Sequence, residues 1–432
     1  MIARSLYYLY QLRRNLRLKP AALQEMQQKK LRAMIKHAYE NVPFYHMKFN
    51  EAGIRPDDVK SIEDLAKVPV TTKTEIQASS LKDIAARNFD VNKCLKRTTS
   101  GSTGIPLTVV VDTQFLGTEK ALVARTYFEN GVMLQDRIVR ITEPNQIPHK
   151  QQWYEKLGIL PTKYVSIFDN VEKQTPIVET YRPDVLRGYT SFLEVLADSC
   201  RESGRNINPR LIFTGAEFLD KKARQVISSA FQTNPLDLYS ACEFGLMGWE
   251  CREHSGYHVN VESLLLEIVR NGEVASLGEQ GEIVCTGLVN KAMPLVRYKI
   301  GDIGAASGDQ CSCGVNLPLL KIIGGRVGDF LITTSGKIVP PTIFFPYPFE
   351  DVMWIRQFRI IQESRYRIVF EVIVKEGYNI NEDKLAAARA RIKHLFGEDM
   401  EVIFKIVEKI KADSSGKLRK VISKVPIDMT IP

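Results

Sequence analysis

The feature that most constrains the fold is an alternation of strand and helix patterns along residues 136–245. Several apolar runs of strand length end in Gly, Tyr, Ser or Glu, among them DRIVRITE, TKYVSIF, DVLRGY, RLIFTGAE and PLDLYSACEFG. Helical patterns such as SFLEVLADSCRESG and KKARQVISSAFQ stand between several of them. Alternation of this kind predicts a layered α/β domain. In open sheets, ligands bind beyond the carboxyl ends of the strands, which is where the polar residues of these runs fall.

Two later regions show different patterns of predicted secondary structure. From Tyr257 onward, short strands and turns replace the alternation and favour an antiparallel β region. From Trp354 onward, the order is strand, strand, helix, strand, which suits a small α+β domain. A chain of 432 residues is too long for one ordinary core. We therefore predict a large N-terminal layered α/β domain with an antiparallel β subdomain over residues 1–325, and a small C-terminal α+β domain over residues 326–432.

Composition places the chain among globular proteins and narrows its partners. Lys and Arg number 59 against 50 Asp and Glu, a formal net charge of +9 that suits anionic partners such as nucleotide phosphates, acidic lipids or nucleic acid. No zinc-finger or RRM signature accompanies the charge, so nucleic acid is the weaker interpretation. The sequence has no apolar run long enough to span a bilayer, and its basic, tyrosine-rich start lacks a signal-peptide cleavage site. Together with an odd number of cysteines, seven, these features predict a cytoplasmic protein without a disulfide framework.

A run of hydroxyl and glycine residues, TTSGSTG at positions 98–104, precedes Pro106 and the apolar stretch 107–111. Gly, Ser and Thr favour turns, and the β-branched stretch predicts a buried strand. Such a loop can present backbone N–H groups and hydroxyls to an anion, which suggests phosphate. An ordinary hairpin turn explains the same residues, and they favour it when taken alone, because no lysine follows the last glycine as in a P-loop.

Cysteines and histidines form a second candidate site. Cys251 and His254 in CREHSGYH, with Cys311 and Cys313 in CSCG, supply four ligands for a closed tetrahedral Zn²⁺. A closed site leaves no room for a substrate water, so the predicted role is structural. We prefer His254 as the fourth ligand for its spacing, whereas His258 alternates with apolar residues in a strand pattern and is a candidate for lining a substrate pocket. Scattered thiols in a reducing compartment are the alternative interpretation.

Four separated motifs indicate a family resemblance when they are considered together. They are TTSGSTGIP, LYSACEFG, VRYKIGDIG and ADSSGKLRKV, in that order along the chain. In order and spacing they resemble the core motifs of the adenylate-forming superfamily, most closely the phenylacetate–coenzyme A ligase family and its relatives associated with capsular polysaccharide synthesis. The resemblance covers nearly the whole chain and includes VPFY, FTGAEFLD and CSCGVNLPLLKIIGGR.

The resemblance implies a nucleotide site. Lys417 and Glu243 are the implied catalytic residues: Lys417 meets the carboxylate and the α-phosphate, and Glu243 binds Mg²⁺. Tyr239 stacks on adenine, and Asp302 accepts hydrogen bonds from the ribose hydroxyls. The complete implied nucleotide-binding set is Ser100, Gly101, Ser102, Thr103, Gly104, Gly215, Ala216, Glu217, Tyr239, Asp302 and Arg326. Residues 1–325 then become an adenylation domain, and residues 326–432 a mobile lid that carries Lys417 in and out of the site.

The function that the resemblance implies is ATP-dependent activation of a carboxylic acid. The expected steps are formation of an acyl-adenylate with release of pyrophosphate, then transfer to coenzyme A, with ATP, Mg²⁺, coenzyme A and a structural Zn²⁺ as cofactors. A carrier protein or a sugar amine in polysaccharide assembly is the alternative acceptor, and a non-catalytic nucleotide-binding protein is the alternative to an enzyme. The sequence leaves the identity of the acid open. A homodimer is consistent with similar proteins, which are often dimers.

Overall fold

The computed structural model describes residues 2–98, 107–169, 171–326, 331–339, 354–411 and 419–425. The chain divides into two compact units, each assembled from two stretches. Unit 1 comprises Met1–Met133 and Leu236–Ile322, and unit 2 comprises Leu134–Pro235 and Ile323–Pro432. The boundary between residues 325 and 326, which separates the predicted adenylation domain from the predicted mobile lid, stays a prediction.

Helices and strands alternate as the sequence patterns indicate. The described α-helices are α1 (Ile2–Asn15), α2 (Pro20–Asn41), α3 (Pro43–Glu51), α4 (Lys73–Ala78), α5 (Leu81–Ile84), α6 (Thr113–Glu129), α7 (Val171–Tyr181), α8 (Thr190–Ser203), α9 (Lys221–Phe231) and α10 (Glu382–Phe396). The first ten described strands are β1 (Leu95–Thr98), β2 (Thr108–Val111), β3 (Ile138–Thr142), β4 (Thr162–Ser166), β5 (Val185–Tyr189), β6 (Leu211–Gly215), β7 (Leu236–Ala241), β8 (Gly245–Glu250), β9 (Tyr257–Val259) and β10 (Leu264–Arg270). The other ten are β11 (Glu273–Val274), β12 (Gln280–Gly287), β13 (Tyr298–Ser307), β14 (Leu319–Arg326), β15 (Leu331–Ile332), β16 (Ile338–Val339), β17 (Ile355–Ser364), β18 (Arg367–Val374), β19 (Glu401–Ile406) and β20 (Val421–Ser423). Within the described ranges, no helix is both long and apolar enough to cross a membrane.

Unit 1 contains the antiparallel region that the sequence predicts. Its sheet has the strand order β11–β10–β12–β13–β14–β9–β8–β7. Neighbours pair antiparallel at β10–β11, β10–β12, β12–β13, β9–β14, β8–β9 and β7–β8. Strands β1 and β2 form a separate antiparallel hairpin in which Thr98 pairs with Thr108. The buried strand predicted after the glycine-rich loop is therefore present, as β2.

Unit 2 contains the layered α/β part. Strands β6, β5, β3 and β4 lie side by side in that order and pair parallel. Helices α7, α8 and α9 pack with these strands around one apolar core, which includes Leu186, Leu193, Ile212 and Ile227. The parallel order follows from the alternation in the sequence, since each helix returns the chain to the start of the next strand.

The C-terminal part of unit 2 has the predicted order strand, strand, helix, strand, and one further strand follows it. The sheet order is β19–β18–β17–β20, with β17 and β18 antiparallel and the two outer pairs parallel. Helix α10 contributes Leu385, Ile392 and Phe396 to a core that the strands complete with Ile360 and Phe370.

Local signals fix several helix starts. The Asp112 carboxylate accepts a hydrogen bond from Phe115 N at 2.7 Å and so caps the start of α6 at Thr113. Thr72 and Glu75 form a reciprocal capping box at the start of α4.

A buried cation holds three parts of unit 1 together. The Arg125 side chain on α6 is fully buried. Its guanidinium donates to Glu262 Oε1 and Asn260 Oδ1, both at 2.6 Å, and to the Leu12 carbonyl oxygen of α1 at 3.1 Å. A charge without water needs such partners, because desolvation otherwise outweighs what its burial contributes.

We predict that Arg125→Met destabilises the protein by about 3–5 kcal/mol, because it leaves the Glu262 carboxylate buried without its cation. Urea unfolding followed by tryptophan fluorescence measures the change. The matched control is Arg270→Met, which breaks the solvent-exposed pair of Arg270 with Glu279 and is expected to cost under about 1 kcal/mol. Equal losses in the two variants would contradict the role of the buried network.

Candidate functional site

Two of the predicted nucleotide-binding residues meet in unit 1. The Tyr239 hydroxyl, on β7, donates to Asp302 Oδ2 on β13 at 2.7 Å. Desolvation of the phenol, together with the neighbouring charge of Asp302, raises the pKa of Tyr239 well above its ordinary value. The phenol therefore stays protonated and serves as a hydrogen-bond donor to the carboxylate.

Strand β13 is irregular where Asp302 lies. Between the pairs Glu282–Ile303 and Val284–Lys299, β13 advances four residues while β12 advances two. Gly301 occupies this bulge with a φ of +85°, a conformation that side chains with a Cβ seldom adopt. A bulge redirects the side chain that follows it, which accounts for the GD pair in VRYKIGDIG.

Glu243 lies close to the same cluster. The Tyr298 hydroxyl, at the start of β13, lies 3.4 Å from Glu243 Oε1. Gly245, two residues later, has a φ of +67°, and a Cβ there would be 2.7 Å from Glu119 Oε1. Glu119 in turn forms a two-point ion pair with Arg97 of β1, at 2.9 and 2.5 Å. No sequence pattern predicts this Arg97–Glu119 pair, because 22 residues separate its members and neither belongs to one of the four motifs.

Some predicted site residues lie outside the described residues. They are Ser100, Gly101, Ser102, Thr103, Gly104 and Lys417. The described ends of the first loop are Thr98 and Leu107, at the end of the β1–β2 hairpin where the loop connects the two strands. The backbone of Arg326 ends β14.

The third nucleotide motif belongs to unit 2. Gly215 ends β6, and Ala216 follows with a φ of +66°. The Glu217 carboxylate accepts from Ser191 N at 2.7 Å and from the Ser191 hydroxyl at 2.9 Å. It therefore satisfies donors at the start of α8, a position where negative charge is favourable. These contacts give Glu217 a structural task beside the role implied by the resemblance.

Four ligand-type side chains converge in unit 1. Cys251, His258, Cys311 and Cys313 each offer one atom, and these atoms all lie within 4.8 Å of one another. The sulfurs of Cys251 and Cys311 are 3.5 Å apart, and Cys313 Sγ lies 3.3 Å from His258 Nε2. A tetrahedral zinc with Zn–S of about 2.3 Å has S–S edges of about 3.8 Å and S–N edges of about 3.6 Å. The donor set and its spacing therefore fit zinc.

His258, and not His254, joins the three cysteines, so the choice of His254 as fourth ligand is wrong. His254 follows Cys251 in a tight turn with a φ of +50°, and its Nδ1 lies 3.5 Å from a carboxylate oxygen of Glu250. His258 lies on β9 opposite Leu319 of β14, the strand that follows the CSCG turn. Strand pairing thus brings His258 to the three cysteines, and the suggestion that His258 lines a substrate pocket stays a prediction.

Burial tunes the protonation of this cluster. It lowers the pKa of the fully buried His258 to about 4, so the imidazole is neutral at physiological pH, as a metal ligand must be. Burial also raises the pKa of Cys251 to about 12 when no cation is nearby. A bound cation favours the thiolate instead, because cysteine binds metals in that form.

Comparisons with known proteins agree with this geometry. Residues 331–424 match the CapK C-terminal domain family. The chain is 30% identical over 363 residues to phenylacetate-coenzyme A ligase of Pseudomonas putida, covering 78% of this chain and 76% of the relative. It is 23% identical over 418 residues to Protein CapK of Staphylococcus aureus, covering 93% of this chain and 89% of the relative. A similar solved structure is the crystal structure of 2-hydroxyisobutyryl-CoA ligase in the postadenylation state, in complex with R3-HIB-AMP. The match has a TM-score of 0.77 at 20% identity and covers 95% of this chain and 91% of the ligase chain.

The fold is that of the adenylate-forming coenzyme A ligases. The sequence likeness is close enough and long enough to specify the family within that class. The chain belongs to the phenylacetate–coenzyme A ligase family and is an ATP-dependent acid–thiol ligase.

We predict that Tyr239→Phe lowers the free energy of unfolding by about 1 kcal/mol at pH 9, because the bond to Asp302 is lost. The difference from wild type shrinks above pH 10. The raised pKa keeps the folded phenol protonated while the unfolded one ionises, so the stability that Tyr239 contributes is present below the unfolded pKa and lost as pH rises toward the folded value. Urea unfolding at pH 9 and pH 10.5 measures this, with the exposed Tyr366→Phe as control. A difference that does not depend on pH contradicts the assignment.

Proposed function

We propose that the protein activates a carboxylic acid with ATP and passes the acyl group to coenzyme A. A carboxylate oxygen attacks the α-phosphorus of ATP, and pyrophosphate leaves. The thiol sulfur of coenzyme A then attacks the acyl carbon of the adenylate, and AMP leaves with the bridging oxygen. The observation that carries this proposal is the 30% identity to a phenylacetate-coenzyme A ligase over 78% of the chain.

The contacts in unit 1 support a division of tasks. The Asp302 carboxylate accepts from the ribose hydroxyls, and the phenol of Tyr239 holds it in orientation through the 2.7 Å hydrogen bond. Because a carboxylate has about four acceptor positions, it accommodates these donors together. The Tyr239 ring offers its face to adenine. Preorganised groups of this kind hold the α-phosphorus in line with the acid before reaction.

Charge develops on the phosphoryl oxygens during attack. The Glu243 carboxylate would hold Mg²⁺, and the bound ion would supply charge neutralisation on the phosphates. Lys417 interacts with the α-phosphate and the acid carboxylate, and the hydroxyl and glycine residues 100–104 hold the β- and γ-phosphates. Fixed donors aimed at the transition state lower its energy more than they lower that of the ground state.

A second candidate acceptor comes from the C-terminal match. Residues 331–424 match the CapK C-terminal domain family, and Protein CapK of Staphylococcus aureus aligns with 93% of this chain. These likenesses favour an acyl acceptor in polysaccharide assembly, either a sugar amine or a carrier protein. The first half-reaction is the same for every acceptor.

We predict acid-dependent release of pyrophosphate when the protein is incubated with MgATP and a panel of aryl, fatty and amino acids that includes phenylacetate. Lys417→Ala and Glu243→Gln each lower this rate by about 100-fold or more, since each removes charge stabilisation of the transition state. Lys417→Ala retains ATP binding, measured by calorimetry. The control variant is Lys409→Ala, which alters an exposed lysine of the same C-terminal region and leaves the rate unchanged.

If the wild-type protein releases no pyrophosphate with any acid of the panel, the result contradicts acid activation. Retained ATP binding in that case would indicate nucleotide binding without catalysis and would overturn the assignment as a ligase. Adding coenzyme A, an acyl-carrier phosphopantetheine or an amino sugar to a working adenylation assay then separates the acceptors, because only the true acceptor converts the acyl-adenylate into a stable product.

The proposal also includes a structural zinc ion, bound by the cysteine and histidine cluster of unit 1. Three cysteine sulfurs and a neutral imidazole form a closed set, with Cys251, Cys311 and His258 all buried. The zinc would tie the end of β8 to β9 and to the turn before β14. A closed ligand set serves folding and leaves no position for a reacting water.

We predict about one zinc per chain in protein purified without chelator, measured by plasma mass spectrometry. His258→Ala lowers zinc content and melting temperature, because it removes one of four ligands. His254→Ala is the matched control four residues away, and it retains the metal. Loss of zinc in His254→Ala with retention in His258→Ala would overturn the ligand assignment, and zinc-free protein from zinc-supplemented medium would overturn the site.

Three further expectations stay predictions. The protein is predicted to be cytoplasmic, to form a homodimer and not to bind nucleic acid. Size-exclusion chromatography with light scattering and a DNA-binding titration at moderate salt test the last two.

A further inference from the structure

One lysine connects two parts of unit 2 that have separate cores. The carbonyl oxygen of Lys420 accepts from Ile360 N at 2.8 Å, so its main chain belongs to the C-terminal sheet beside β17. Its side chain leaves that sheet. Lys420 Nζ lies 2.9 and 3.1 Å from the two carboxylate oxygens of Glu194 on α8, and 3.1 Å from Asp220 Oδ2 at the start of α9.

The three charged groups are largely withdrawn from water. The exposed fractions of their side chains are 22% for Lys420, 17% for Glu194 and 4% for Asp220. Burial alone would lower the pKa of Lys420, but the two carboxylates together outweigh it and raise that pKa. The lysine is therefore a full cation between two acidic partners. Lys222 of α9 adds a further contact, with its Nζ 5.6 Å from the centre of the Phe358 ring on β17.

This connection is polar, although each side has an apolar core of its own. The core of β17, β18, α10 and β19 and the core of the parallel sheet with α7, α8 and α9 have no member in common among the described residues. A shared apolar core would join the two parts permanently. An ion cluster releases more readily, because water can solvate its members once they separate.

The positions of the partners in the sequence relate this cluster to the proposed chemistry. Asp220 follows Glu217, the end of the predicted nucleotide loop, by three residues, and Lys420 follows the predicted catalytic residue Lys417 by three. Three peptide units span at most about 11 Å. A contact that fixes Lys420 on Asp220 therefore limits how far Lys417 can move from the nucleotide loop.

We propose that Lys420, Glu194 and Asp220 form a releasable latch that holds the C-terminal α+β part in the orientation for acid adenylation. Lys420 is a positioning residue, since it acts through Lys417 and not on the substrate. Opening of the latch frees the C-terminal part for the transfer step. This inference rests on the proposed function for its chemical meaning, whereas the latch itself is a structural claim that can be tested separately.

The structural test uses distance measurements in the full chain. Spin labels carried by unnatural amino acids at two exposed positions, Glu202 on α8 and Ala387 on α10, report the separation of the two parts. In MgATP the otherwise unaltered protein is expected to give one narrow distance distribution. Lys420→Met broadens it, and Glu194→Gln, which keeps Asp220 as a partner, broadens it less. The control Lys424→Met alters an exposed lysine paired with Glu363 inside the C-terminal part and leaves the distribution unchanged.

The functional test separates the half-reactions. Lys420→Met lowers pyrophosphate release from MgATP and an acid of the panel that the wild-type protein activates by roughly 10- to 100-fold, in the range of typical coupling between two states. Conversion of the supplied adenylate of that acid with coenzyme A stays the same or rises. Lys420→Arg restores most of the adenylation rate, since it restores the charge. In a double-mutant cycle, Glu194→Gln adds little to Lys420→Met, because both break one cluster.

The outcomes distinguish the latch from the proposed function. Unchanged distances in folded Lys420→Met and Glu194→Gln overturn the latch. Equal loss of both half-reactions also overturns it, because that pattern indicates general structural damage. Broadened distances without any acid activation by the wild-type protein support the latch and count against the proposed function.

Discussion

The hydrogen bond from Tyr239 to Asp302 sets the shape of the site in unit 1. Three strands, β14, β9 and β8, separate β13 from β7 in the order of the sheet. A flat sheet would hold β7 and β13 about 19 Å apart, further than the two side chains reach. The 2.7 Å contact therefore requires the sheet to curl, and the bulge at Gly301 turns Asp302 toward the phenol. Curling brings the motifs LYSACEFG and VRYKIGDIG to one place.

The same antiparallel sheet organises the cysteine cluster. Strand β9 has only three residues, yet its pairing with β8 and β14 brings His258 to Cys251 on one side and to the CSCG turn on the other. Unit 2 contributes a different kind of order. Its parallel strands place the loop at Gly215–Glu217 at the carboxyl end of β6, where Glu217 caps α8. The protein thus combines a curled antiparallel region and a parallel region in one chain.

Local sequence patterns are sufficient to predict the helices and strands. Pairing between distant strands determines which residues come together in the candidate sites. The start of helix α6, for example, is encoded locally, because Asp112 is a strong N-terminal cap. Spacing along the chain favoured His254 as a ligand, whereas strand register brings in His258, and no local pattern encodes register between β9 and β14. The Arg97–Glu119 pair and the Lys420 cluster escaped prediction for the same reason, since their partners lie 22 to 226 residues apart.

The central claim is that an acyl-adenylate forms before the acyl group is transferred. The most direct test uses an acid from the panel labelled with ¹⁸O in both carboxylate oxygens, with MgATP and coenzyme A, and mass spectrometry of the products. One ¹⁸O atom per turnover is expected in the phosphoryl group of AMP, because the attacking carboxylate oxygen stays on phosphorus when the thiol displaces it from the acyl carbon. Label in inorganic phosphate accompanied by ADP, or AMP without label, would contradict adenylation.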